Sequence, residues 1–350
     1  MVHLKASARV LALLLLPLGS LPVRAQAPPV ERIANYVVAD RQAMLEAGTR
    51  REGGLLLYTT GTQIKPLIDR FEAKYPYLRI ELSRASAADT ARKVLEEYRA
   101  GFEKVDAFEL ASPGLVLPRD EGILQPFRSP ESAAFAADAI EPGRHWVVVR
   151  ESYTGIGFNT TLLPAEKAPK AYADMLDPQW NGRMAISGLT TTAVNWVGTM
   201  AIVQGADFVR KLGGQDVRVY NITGRALANL MSAGEVMLSP TIYNSHVAAS
   251  SEKGAPLAWN APGPVPVTDT GVAIARKAPH PHAAMLFADF LMSKEGQILY
   301  QELGYDSPRA DAAHPGAQVQ KLYLTNRPNY LRDYETWARL YQDVFVRRRF

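Results

Sequence analysis

Leu55-Leu56-Leu57-Tyr58 is an apolar run of strand length, and Ile64, Leu67, Ile68, Phe71 and Tyr75 recur after it at helical spacing. Thr59-Thr60-Gly61-Thr62 lies between them as a polar turn. Pro66 is tolerated only in a first helical turn, so the helix is predicted to begin near Thr62 or Gln63. A strand, a small polar turn and a helix tip leave backbone N–H groups free for an anion or polar ligand. The same pattern also describes an ordinary capped helix.

Leu78 to Leu82 alternates as a half-buried strand, Ala87 to Ala100 reads as a helix stopped by Gly101, and Val105 to Leu110 reads as a third strand broken by Ser112-Pro113-Gly114. This order favours a parallel sheet covered by helices. Upstream, Ile33 to Glu52 is predicted helical and ends at Gly53-Gly54. Downstream, His145 to Glu151 is extended, and Gly155 and Gly157 in the following segment predict a bend or a crossing between domains.

The opening pattern then returns. Met184 to Ser187, Gly188 to Thr192 and Ala193 to Val203 repeat strand, turn and helix. Val217 to Tyr220, Thr223-Gly224 and a helix to Ala233 repeat them again. A strand over Glu235 to Ser239 is predicted to end at Pro240. Thr270 to Ala275 returns as a strand. Ala283 to Tyr300 is predicted as one amphipathic helix, with Met285, Leu286, Phe290, Leu291 and Ile298 on one face.

Composition adds limits. The 350 residues suffice for two domains, and 47% apolar with 21% charged residues fits a globular protein with a substantial core. His3, Lys5 and Arg9 precede a short apolar run, Val10 to Leu16, and Val23-Arg24-Ala25 offers a cleavage site, the pattern of a secretory signal peptide over 1–25. Lys5, Arg9 and Arg24 are then lost, which reduces the formal +4 to +1 and favours no nucleic-acid partner. No cysteine is present, which excludes disulfides, thiolate metal sites and a lipid-anchored mature N-terminus. The expected destination is the periplasm. The histidines lack H-E-x-x-H spacing, and no G-x-S-x-G, P-loop or G-x-G-x-x-G occurs, so no enzyme activity is expected.

Several segments carry a family resemblance. They are Ala39-Asp40-Arg41, Glu52 to Thr60, Phe71-Glu72-Ala73-Lys74-Tyr75-Pro76, Pro178-Gln179-Trp180-Asn181-Gly182-Arg183, Ala278 to Ala284 and Asp289 to Gln297. In this order the chain resembles the solute-binding proteins of bacterial ABC importers, in the group that includes the ferric-iron-binding proteins. The resemblance implies an α/β, two-domain periplasmic-binding-protein-like (type II) fold with a central ligand cleft and two crossing hinge strands. The crossings would fall near Val149–Gly157 and Thr268–Gly271. After the signal peptide and a linker with an N-terminal helix over 26–52, residues 53–149 plus 271–350 would form domain one and 155–268 domain two. The implied partners are a small-molecule ligand and an inner-membrane ABC permease, with no cofactor, and the protein would act as a monomer.

In that frame the polar turns face each other across the cleft. Thr59, Thr60, Gly61, Thr62 and Ser112 are the expected ligand groups of domain one. Ser187, Thr190, Thr191, Thr192, Arg225, Tyr243 and Asn244 are those of domain two. Ser112 and Ser187 follow strand ends, the usual ligand edge of open α/β sheets. Tyr243 suits ligand contact and a core position equally, and Arg225 suits a ligand anion or solvent. Ferric-iron members of the family use a tyrosine pair, often with a histidine and a glutamate. Here Thr241-Ile242-Tyr243-Asn244-Ser245 offers one tyrosine. Thr62 stands at the histidine position, and Leu110, Ala111 and Ser112 lie near the glutamate position. An organic or oxyanion ligand is therefore expected ahead of iron, for which Tyr243 would be the ligand. A solute receptor, an enzyme using Tyr243, Tyr153 or Glu109, and a sensor-coupled receptor are the three readings this scaffold permits.

Overall fold

A computed structural model describes residues 30–61, 63–188, 190–312 and 319–349. The expected signal peptide and Thr62 lie outside the described residues, as does the side chain of Thr190. The chain opens with α1 (Val30–Ala34) and α2 (Arg41–Glu52). The first unit then runs β1 (Gly54–Thr59), α3 (Lys65–Lys74), β2 (Arg79–Arg84), α4 (Ala87–Arg99), β3 (Ala107–Ala111), α5 (Pro113–Asp120) and β4 (Leu124–Gln125). After the long β5 (Trp146–Asn159), the second unit runs β6 (Ala185–Ser187), α6 (Thr190–Val203), α7 (Ala206–Gly213) and β7 (Arg218–Tyr220). It continues with α8 (Gly224–Ser232), β8 (Leu238–Tyr243), α9 (Asn244–Ser251) and β9 (Leu257–Asn260). The long β10 (Val265–Ala275) leads to α10 (Pro281–Met292), α11 (Lys294–Glu302), β11 (Lys321–Leu322) and α12 (Tyr330–Tyr341).

The main sheet has the order β2-β1-β3-β10-β5-β8. β2, β1 and β3 are parallel, as the strand–helix alternation predicts, and β10, β5 and β8 join antiparallel. β5 pairs with β10 from Trp146 to Tyr153, then with β8 and β9 from Thr154 to Asn159. It therefore leaves the first lobe and enters the second without a break. β10 makes the return, pairing through Val267 with β5 and through Thr270 to Ile274 with β3. Gly155 and Gly157 sit where β5 changes partners and the β8 register shifts. A Cβ at Gly155 would lie 2.5 Å from the Trp259 ring, and one at Gly157 2.2 Å from Ile242. Only glycine lets these neighbours close on the crossing strand.

Three predicted elements are corrected. The helix expected over Ile33 to Glu52 is two helices, α1 and α2. Arg41 ends the gap between them by donating to the Tyr36 carbonyl and pairing with Asp289, at 2.8 Å from its Nε. The helix expected over Ala283 to Tyr300 breaks at Ser293, which is extended (ψ 158°) and caps α11 by accepting from Gly296 N at 3.2 Å. Ile298 therefore leaves the expected apolar face and is 42% exposed. The strand expected to end at Pro240 instead runs through it to Tyr243. Pro240 falls within the shift of register between β8 and β5, where a missing N–H breaks no ladder bond.

The last helix packs on the second unit. Trp337 lies on Gly198 of α6, where a Cβ would meet its ring at 2.5 Å, and Tyr330 donates to Asn195 Oδ1 at 3.3 Å. The sequence expectation had placed this segment with domain one. Tyr330, Trp337 and Tyr341 lie on one apolar face, and the bare patch at Gly198 receives it.

Candidate functional site

Tyr243 ends β8, and its side chain faces three helix tips. Its hydroxyl lies 3.1 Å from Thr192 Oγ1 in the first turn of α6 and 3.1 Å from Thr268 Oγ1 on β10. Its ring meets His246 edge-on, with centroids 5.1 Å apart, and a Cβ at Gly224 would lie 3.2 Å from it. The N-termini of α6, α8 and α9 thus converge on one phenol. Each tip carries unsatisfied N–H groups and partial positive charge. Thr223 caps α8 by accepting from Ala226 N at 3.2 Å, whereas α9 starts at Asn244 with no side-chain cap. Arg225, in the first turn of α8, is exposed.

The first lobe's turns are joined to this cluster through β10. Thr60 Oγ1 accepts from Ala111 N at 3.0 Å, tying the turn after β1 to the end of β3. Ser112 N donates to Asp269 O at 3.1 Å. Asp269 precedes no gap: its neighbour Thr268 is the residue that meets Tyr243. The chain of contacts therefore runs from Thr60 through Ala111, Ser112, Asp269 and Thr268 to Tyr243 and Thr192.

Several expected ligand groups are engaged within the protein. Thr59 is buried, donates to Glu109 and accepts from Gly61 N at 2.8 Å, so it shapes the turn. Ser187 donates to Ile222 O at 2.8 Å and is buried. Ser112 is buried and tied to Asp269 through its backbone N–H, while its Oγ has no hydrogen-bond partner among the described residues. Asn244 Oδ1 accepts from Tyr153 N at 3.2 Å, and its Nδ2 donates to Asp306 at 2.7 Å, which places it in the hinge. Thr191 is exposed. Gly61 is buried with its N–H given to Thr59, and Thr60 Oγ1 is given to Ala111 N, whereas Thr192, Tyr243 and Arg225 stand together at the second-lobe helix tips.

The sequence reading missed Thr268, His246, and the α12 tyrosines that brace the second-lobe loop. Tyr341 donates to Gly188 O at 3.3 Å. A signal for the crossing-strand residues was present. Arg150-Glu151-Ser152 and Thr268-Asp269-Thr270 are polar interruptions in otherwise apolar strands. On the side away from Tyr243, Glu151 is buried and pairs with Lys321, and it accepts from Tyr323 at 2.5 Å. Burial pushes Glu151 up, against the pull of Lys321. Burial also pushes Asp269 up to about 6, against the Ser112 and Thr325 hydroxyls.

His246 is pushed down to about 4, first by burial and then by the Arg225 charge, so it is neutral near pH 7. Its usual value is 6.5, so the unfolded chain takes up the proton first as pH falls. Stability from the neutral imidazole is complete above 6.5 and is lost as pH drops toward 4, by up to ~1.4 kcal/mol per pH unit. In melts between pH 7 and 4.5, His246→Gln should lose less stability than the wild type. Parallel curves would refute this.

Residues 117–330 match the model of the bacterial extracellular solute-binding protein family, and the chain belongs to that family. A Haemophilus influenzae protein described as uncharacterized is 26% identical over 201 residues, 52% of this chain, and the chain spans 56% of that relative's length. Among solved structures, iron-bound HitA from Pseudomonas aeruginosa aligns with a TM-score of 0.69 at 19% identity, over 84% of this chain and 99% of that one. AfuA from Actinobacillus pleuropneumoniae, with fructose-6-phosphate bound, aligns with a TM-score of 0.65 at 21% identity, over 83% and 98%. A Trichodesmium protein (IdiA, FutA) in complex with iron and citrate aligns with a TM-score of 0.70 at 17% identity, over 83% and 99%. The two-lobed periplasmic-binding-protein fold is thereby established.

Proposed function

We propose that this chain captures a small polar or anionic solute between its two lobes in the periplasm and delivers it to an inner-membrane ABC permease. The observation that carries this reading is the Tyr243 hydroxyl held between Thr192 of a helix tip and Thr268 of a crossing strand. It joins the second lobe's anion-favouring tips to the floor between the lobes. Closure by rotation about β5 and β10 would bring Thr60 and Gly61 toward Tyr243. The first lobe would comprise 53–149 and 271–312, and the second 155–268 with 319–349, since α12 packs on α6.

An organic or oxyanion guest fits this site better than ferric iron. Around the single phenol stand two threonine hydroxyls and a neutral imidazole, whereas hard Fe(III) favours phenolate and carboxylate oxygen. Iron, iron with citrate, and fructose-6-phosphate are bound in the similar structures.

A thermal-shift screen over phosphates, phosphonates, carboxylates, polyamines and ferric complexes tests the reading. A true guest stabilises only the folded form, so Tm should rise with its concentration. Tyr243→Phe should weaken that guest about five- to tenfold, the loss of about one hydrogen bond. A silent screen, or conversion of the guest to product, would overturn the receptor reading. Unchanged affinity in Tyr243→Phe would remove the phenol from the site.

A further inference from the structure

Two arginines at the start of the described chain stand apart from their neighbours. Arg41 pairs with Asp289 at 2.8 Å, and Arg50 lies over the Tyr77 ring, its guanidinium carbon 3.8 Å from the centre. Arg32 on α1 and Arg51 in the last turn of α2 are exposed, and neither has an ion pair or a side-chain hydrogen bond among the described residues. Both border a surface cavity of about 370 Å3, which Ile33, Tyr36, Met44 and His282 complete. That volume lies in the range of small-molecule sites.

The packing of α10 on α2 shapes this cavity and leaves it cationic. Gly48 admits the His282 ring, since a Cβ there would lie 2.1 Å from its Cγ. His282 Nδ1 meets Glu52 Oε1 at 2.5 Å, and Glu52 also accepts from the backbone N–H of His282 at 3.2 Å and of Ala283 at 2.8 Å. The carboxylate next to Arg51 in sequence is thus engaged by an imidazole and the tip of α10. Asp40 in turn accepts from the Tyr36 hydroxyl at 2.6 Å. The six lining residues include no acid, while buried Ile33, half-buried Met44 and the Tyr36 ring supply apolar surface. Two guanidiniums beside an apolar wall favour an anion that carries an apolar body, and they disfavour a cation.

The cavity is separate from the cleft. The cleft lies where β1 and β3 end, at Thr59 and Ala111, whereas Glu52 and His280 stand where these strands begin: Glu52 just precedes β1, and the His280 N–H donates to Asp106, next to Ala107, at 2.6 Å. We propose that this cavity is a second binding site, for a small organic acid whose carboxylate meets Arg32 and Arg51 and whose apolar body lies on Ile33, Met44 and Tyr36. It acts independently of the solute that the two lobes capture.

The test titrates the full mature chain calorimetrically with octanoate, benzoate, inorganic phosphate and benzylamine. At least one of the two carboxylates should bind, more tightly than phosphate, and benzylamine should not. The double variant Arg32→Gln with Arg51→Gln should weaken the carboxylate about tenfold, the loss of two partly screened charge pairs. Both arginines are exposed, so the variant should fold as the wild type does, which circular dichroism checks. Met44→Gln keeps both cations and should weaken the same carboxylate about threefold. Hydrogen exchange with the carboxylate bound should slow in α1 and α2 and stay unchanged in the first turns of α6, α8 and α9. No binding of either carboxylate would overturn the site, as would wild-type affinity in the folded double variant or equal binding of benzylamine. Protection at the α6, α8 and α9 tips in place of α1 and α2 would move the acid to the cleft and also overturn it. Phosphate bound as tightly as the carboxylates would overturn the assignment of the apolar body.

Discussion

Lys321→Met should lower the folding stability by about 3 kcal/mol, near the low end of the 3–5 kcal/mol typical when one partner of a buried ion pair is removed. Glu151 has no exposed side-chain surface, and Lys321 is its cationic partner. Lys321 itself is 21% exposed, so solvent screens the pair in part, hence the low end. The nearby Asp306 already disfavours a second negative charge. Without the lysine, Glu151 must stay ionised in an apolar hinge or take up a proton. The sign of the pH dependence follows. Burial raises the folded pKa of Glu151 above its unfolded value, so the folded state holds the proton more tightly. The protonated form's stabilising share is present in acid and is lost as pH rises. The variant's deficit should therefore shrink as pH is lowered from 8 toward 5, and Lys321→Met with Glu151→Gln should recover most of the loss. Urea unfolding across that pH range measures all three. A pH-independent deficit would show that the lysine acts by packing, for instance over the Tyr153 ring 5.2 Å away.

Trp337→Ala should cost about 3–5 kcal/mol, as large-to-small changes of buried aromatics do. Trp337 is 6% exposed and packs on the bare backbone at Gly198 and edge-on to Tyr330, with ring centroids 6.3 Å apart. No side chain at Gly198 can move in to fill the space. The variant should also loosen the start of α6, because α12 carries Tyr341 and Tyr330, which donate to the Gly188 carbonyl and to Asn195. Hydrogen exchange should rise in the first turn of α6 as well as in α12. Faster exchange in α12 with α6 unchanged would show that the terminal helix does not brace the start of α6.

Much of the fold was legible because its elements are locally encoded. β1 and α3 follow from Leu55 to Tyr58 and from Pro66, and the observed helix starts at Lys65, within a turn of the expected place. The crossing at Gly155 and Gly157 was legible from two glycines in an apolar strand. The break at Ser293 was not, because apolar periodicity continues past it and a serine cap competes only once α11 has its own packing partners. The Thr/Gly turns before helices were legible. Which partner each of their hydroxyls takes was not. Thr59 and Ser187 have the same local pattern as Thr60 and Thr192, and they differ only in what other segments place beside them.

The sequence by itself determined the strand–turn–helix units, since each depends on residues near one another in the chain, and it determined the absence of cysteine chemistry. Tertiary structure decided the rest. It put Thr268 against Tyr243 and sent α12 to the second lobe. Those outcomes depend on strand register and on partners more than a hundred residues away, as in the contact of Arg150 with Thr270, and a polar side chain's role is set by which donors and acceptors reach it.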